Sequence, residues 1–201
     1  MKRTSLVVAS FCVAALLVIS SPAARADQWN QATKLTFSQS VEIPGKVLPA
    51  GTYWFTIMAN NPSRNVVEVW NADRQELLDM ILTVPDYRLH PASETVIKFE
   101  ERPSSEPQAL RAWFYPGDNY GHEFVYSESR ATEIARRSGH PVLAMRDDVA
   151  ENMNKPAKSA QEPSVMALEN TQVNAVNSNG QDVDKSQAME GGQANTTAPQ
   201  Q

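Results

Sequence analysis

His90, His122 and His140 are the chain's three histidines, and general-base or metal chemistry would have to begin from them. No two stand at i, i+4 or as H-x-H, the spacings that put two ligands on one metal. Glu123 follows His122 directly. In a strand such neighbours point to opposite faces, so they cannot form a dyad. Asp86, in VPDYRL, and Asp118, after a Pro-Gly pair, stand where Asx residues serve turns. A hydrolase-type site built across loops from Asp86, His90, Asp118, His122 and Glu123 would need an imidazole within hydrogen-bond reach of a carboxylate in a cleft. There is no G-x-S-x-G, no Gly-rich phosphate loop and no H-E-x-x-H. Asp147, Asp148 and Glu151 lack the alternating ligands of a calcium loop and read as a solvated run. The residue types therefore imply no catalytic group, no metal and no cofactor.

The second chemistry on offer is aromatic. WFYPGDNYGHEFVY, residues 113–126, carries Trp113, Phe114, Tyr115, Tyr120, Phe124 and Tyr126. Aromatics at period two fill strand faces in a core. The alternative leaves Trp113, Tyr115 and Tyr120 outside, beside Trp54 or Trp70, as a surface on which sugar rings or an extended peptide could stack. These five are the candidate ligand-binding residues.

The elements that would position them are strands. Leu35 and Phe37 begin a period of two that Val41 and Ile43 continue, and IPGK sets Pro44-Gly45 for a type II turn. Tyr53, Phe55 and Ile57 share one face of the next strand, with Trp54 on the other. NVVEVWN, TVIKFEE and the two arms of 110–126 alternate likewise. QELLDMILTVPDYRL is read as a strand closed by Pro85. Tyr115-Pro116-Gly117-Asp118 is a second Pro-Gly turn. After it Ala131, Ile134 and Ala135 fall at helical spacing, with Ser129 as N-cap and Gly139 as stop. Val142 to Met145 forms a last extended piece. Short strands with turns every 8–12 residues imply an all-β antiparallel β-sandwich, or alternatively a small barrel, with one short C-terminal helix near 129–138.

Both ends differ from this domain. Lys2 and Arg3, the apolar run from Leu6 to Ile19 and Ala24-Arg25-Ala26 have the anatomy of a cleavable secretory signal, residues 1–26. The run is shorter than the roughly 20 residues that span a bilayer, so no membrane span is expected after cleavage. Cleavage removes Cys12, the one cysteine, and with it disulfide and thiol chemistry. It also takes three of the 18 basic residues and none of the 23 acidic ones, leaving a net charge of −8. That balance argues against nucleic acid and anionic lipid as partners. The chain has no aromatic residue after Tyr126. From Glu151 to Gln201 it is rich in Asn, Gln, Ala and Ser, and so reads as a disordered tail following a 27–150 domain. Only a faint apolar spacing interrupts it: Val165, Met166, Leu168, Val173 and Val176.

EIPGKVLPAGTYWF, Glu42 to Phe55, resembles the PG-x-x-LPAGTY strand-turn-strand of secreted prealbumin-like and carboxypeptidase-regulatory-like sandwich modules. With VPDYRL and AWFYPGDNYGHEFVY, the run from Trp29 to Met145 is similar to a group of exported proteins of acidobacteria-type bacteria. The resemblance implies a sandwich and a periplasmic or secreted location, and no activity comes with it. The expected function is an exported, non-enzymatic module that binds an envelope or extracellular protein or polysaccharide. The alternatives are the loop-built Asp/His hydrolase and a purely structural envelope protein.

Overall fold

The computed structural model describes residues 31–103, 105–155 and 157–190. The expected signal segment 1–26 and the tail residues 191–201 lie outside the described residues. Among the described residues thirteen strands and four helices follow in chain order. Strands β1 (Ala32–Phe37), β4 (Gly51–Ile57) and β5 (Val66–Asn71) lead into the long β6 (Leu77–Tyr87), each antiparallel to the next. Beyond Leu82, β6 leaves β5 and pairs with β9 (Tyr120–Phe124), which pairs with β8 (Gln108–Phe114). β7 (Val96–Glu100) flanks β8, and β2 (Val41–Ile43) joins it in parallel, with β3 (Lys46–Leu48) outside. One sheet thus bends at β6 so that its halves face each other. Phe55 of β4 lies 6.4 Å from Trp113 of β8 and 6.3 Å from Phe124 of β9, ring to ring. The architecture is sandwich-like, with no closed barrel. Its sheets are mixed rather than purely antiparallel, because β2–β8 and β10–β11 run parallel.

The period-two reading explains the first core. The register sets Phe55 opposite Val69, and Ile57 and Ile81 both opposite Val67, so all five share one face. All are buried. Gly45 and Gly117 take φ of +90° and +84° in the two Pro-Gly turns, conformations open to glycine. Pro85 does not close β6. It sits exposed within the strand opposite His122, where β6 has a partner on one side and a missing N–H costs no ladder bond. Helix α1 (Glu128–Ser138) buries Ala131, Ile134 and Ala135 and stops at left-handed Gly139. Its N-cap is Ser127, not Ser129. Ser129 instead donates its N–H and Oγ to Asp147, both at 3.0 Å.

The largest correction concerns the tail. Residues 151–155 and 157–190, read from the sequence as part of a disordered tail, are built into the fold. After β10 (Tyr126–Ser127), β11 (Val142–Met145) and α2 (Asp147–Ala150) come α3 (Pro163–Glu169), β12 (Asn174–Val176), β13 (Asp182–Val183) and α4 (Lys185–Glu190). The order β10-β11-β12-β13 makes a second sheet. The other face of β5 and β6 presents Val66, Met80 and Leu82, and Val165, Leu168, Ala175 and Ala188 pack over it. The segment cannot form a core alone. Its small side chains complete a face that the strands leave apolar, and that burial offsets the entropy of ordering it. No helix among the described residues is long and apolar enough to cross a membrane.

Candidate functional site

The aromatic candidates divide between the two faces of the bent sheet. Trp113 is fully buried, with Phe55 against its ring and His122 stacked at 5.5 Å. It is core, not a surface platform, because the register sets it opposite His122 on the inner face. Tyr120, half-buried, sits at the end of that inner face, edge-on to exposed Tyr87 at 5.6 Å. Tyr115 is half-buried against the first core. Trp54 and Trp70 lie on the opposite, outer face, directly across from each other in β4 and β5 and half-buried. The five residues therefore do not form one platform.

The Trp54–Trp70 pair is held in place by its own N–H groups. Trp54 donates to the Ala72 carbonyl and Trp70 to Glu68 Oε2, both at 3.1 Å. Thr56 also donates to Glu68, at 3.2 Å. Arg74 lies 5.1 Å and Lys34 5.9 Å from the Trp54 ring centre. Next along the outer face the hydroxyls of Thr36 and Thr52 meet at 3.0 Å. The result is a pair of indoles on paired strands, with two cations over the Trp54 ring and a carboxylate and hydroxyls beside them. Tyr87, against half-buried Tyr120, and Leu89, 90% exposed, are exposed apolar side chains elsewhere on the surface. The Arg88 N–H donates to the Asn119 carbonyl at 2.8 Å and ties that segment down.

The five residues of the loop-built hydrolase reading do not converge. His122 Nδ1 lies 3.2 Å from Thr83 Oγ1, and the Trp113 and Tyr120 rings enclose it. Burial lowers its pKa to about 4, with help from the Arg64 charge, so it stays neutral at physiological pH. Glu123 points to the other face, 3.3 Å from Arg111. Asp86 pairs with Lys98 at 3.1 Å and Asp118 accepts from Gln31 at 2.6 Å. His90 is exposed. Among the described residues neither His90 nor His122 has a hydrogen bond to a carboxylate. Among the described residues no three of His, Cys, Asp and Glu could hold a metal ion.

What the sequence pattern did not reveal is a buried ionic layer on the outer face of β6–β9–β8–β7. Arg111 is the extra residue of a bulge in β8, since Lys98 pairs Ala112 while Phe99 pairs Leu110. The bulge turns Arg111 to the side of Glu123 and Glu100, at 3.3 and 3.9 Å. Its terminal nitrogen also donates to the Ala188 carbonyl of α4. Burial outweighs Arg111 and raises both carboxyls, Glu123 to about 7. Gly121 lets Phe114 fold flat across β9: a Cβ there would stand 2.4 Å from Phe114 Cδ1. Lys98 and Arg88 lie over the Phe114 ring at 4.8 and 5.2 Å. Arg111, Glu100 and Glu123 are buried, so the layer ties α4 to the sheet rather than facing a ligand.

No protein-family model, no curated protein and no solved structure matches the chain.

Proposed function

We propose that the protein is an exported, non-enzymatic β-sandwich module that binds an extracellular or envelope polysaccharide on the outer face of β4 and β5. The observation that carries this is the cross-strand pair Trp54–Trp70, half-buried on the outer face, with Lys34 and Arg74 over the Trp54 ring and Glu68 on the Trp70 N–H. Indole faces on a flat sheet suit the apolar faces of sugar rings. The bordering ions and hydroxyls suit their hydroxyl groups. Export rests on the signal-like segment 1–26 and on a cysteine-free chain beyond it.

The test is a titration with cellohexaose, xylohexaose and an N-acetylglucosamine hexamer, following tryptophan fluorescence. Emission that remains in a Trp54→Phe, Trp70→Phe double variant, from Trp29 and Trp113, is the background. At least one oligosaccharide should shift the emission, and Trp54→Ala or Trp70→Ala should weaken that binding about tenfold, the equivalent of about 1.4 kcal/mol. Binding that survives both substitutions, or no binding across the panel, sinks the polysaccharide reading. A protein partner is the second reading, favoured by the protruding Leu89 beside Tyr87. Tyr87→Ala and Leu89→Ala would then abolish capture of that partner while leaving the tryptophan surface unaffected.

A further inference from the structure

A cleft of about 470 Å³ opens beside α1, lined by Arg102, Glu106, Arg130, Glu133, Arg136 and Arg137. Four guanidinium groups converge there in a chain of net charge −5. Like charges at close quarters repel, so such a cluster persists where anions balance it. Glu42 supplies one balance from within the fold: it accepts from Arg102 at 2.8 Å and from Arg130 at 2.5 and 2.7 Å. Burial pushes its carboxyl up, but the two arginines more than offset this and hold it ionised. Glu133 also pairs with Arg130, and Glu106 lies 3.4 Å from Arg137.

Three carboxylates thus face four guanidiniums, and two of the arginines keep donors without an anionic partner. Arg136 gives its Nε–H to the neutral Ser178 carbonyl at 3.2 Å and has no carboxylate partner among the described residues. Arg102 is 1% exposed at its side chain; its terminal nitrogens donate to Glu42 and to the Pro107 carbonyl, and its Nε–H is buried without an acceptor. An unpaired charged donor beside a cavity is costly unless something occupies the cavity.

We propose that this cleft binds a small molecule bearing a phosphate or carboxylate group, held by Arg102, Arg130, Arg136 and Arg137. Guanidinium forks match both oxyanions. The volume suits a small ligand. Glu106 and Glu133 at the rim accept hydroxyl or ammonium donors of the same molecule and repel an extended polyanion. The cleft is separate from the tryptophan strip, and neither depends on the other.

Calorimetric titration of the full chain in phosphate-free, low-salt buffer tests it, with glucose 6-phosphate, glucuronate and glucose as probes. One or both anions should bind saturably with Kd below about 1 mM, and neutral glucose should not. Binding of the first alone identifies the phosphate, and binding of the second alone the carboxylate. The double variant Arg136→Gln, Arg137→Gln changes exposed side chains, so it should keep the wild-type Tm and bind at least about tenfold more weakly. Arg146→Gln, exposed and paired with Asp148 away from both surfaces, should bind as wild type. The proposal is overturned if neither anion gives saturable heat, if glucose binds as tightly, or if the double variant binds unchanged.

Discussion

Leu168→Ala probes whether the low-complexity C-terminal segment belongs to the folded core. Leu168 is fully buried in α3, in the cluster that includes Met80, Leu82 and Leu143. Alanine removes three carbons, about 2.4 kcal/mol at about 0.8 kcal/mol each. The cavity left behind brings the cost into the range of about 2–5 kcal/mol seen for such truncations. In urea, where a small protein loses about 1–3 kcal/mol per molar, the midpoint should fall by about 1–2 M at unchanged slope. Met166→Ala on the same helix is the internal control, because Met166 is 47% exposed. It should change stability by no more than about 0.5 kcal/mol. A disordered segment predicts no effect from either substitution. If Leu168→Ala leaves the midpoint within error of wild type, the packing of 151–190 onto β5 and β6 is wrong, and with it the account of the second core.

Two further substitutions test the layers on either side. Gly121→Ala places a methyl inside the Phe114 ring, so it should cost about 1–3 kcal/mol, read as a Tm lower by several degrees; an unchanged Tm would mean that Phe114 does not lie across β9. Asp79 is buried near Lys46, at 3.9 Å, and burial raises its pKa to about 7, against about 4 in the unfolded chain. The folded protein then holds a proton that the unfolded chain releases, so this group makes stability fall as pH rises from about 4 to about 7 and level off above. Glu123 acts in the same direction and His122, with its lowered pKa, in the opposite one. The informative quantity is therefore the difference between wild type and Asp79→Asn. The variant should gain on wild type steadily between pH 4.5 and 7.5 in urea melts, and an offset that does not change with pH would refute the assignment.

Much of the sandwich was legible in the residues themselves. Tyr53, Phe55 and Ile57, then Val67 and Val69, alternate as a half-buried sheet requires, and the two Pro-Gly pairs mark turns by their fixed φ and open φ. The helix over 128–138 followed from Ala131, Ile134, Ala135 and Gly139. Local pattern was silent on which of the two faces each aromatic occupies, because alternation assigns faces without saying which one is covered. Trp113 and Trp54 have the same kind of neighbours in sequence; one is core and the other lies on the outer strip.

The candidate sites were less legible still, since they join residues far apart in the chain. Glu42 meets Arg102 and Arg130 across 60 and 88 positions, and Arg111 is turned toward Glu123 by a bulge that leaves no mark in the alternation. The residues by themselves determined that strands dominate, where the turns fall and where the helix stops, because these depend on local dihedral preferences and on periodicity. Only the tertiary structure decided the rest. The bend at β6 placed Trp113 inside, and the apolar face that β5 and β6 left open allowed an alanine-rich segment to fold. The energy that orders that segment comes from a surface more than 60 residues away in the chain, and no local pattern can carry it.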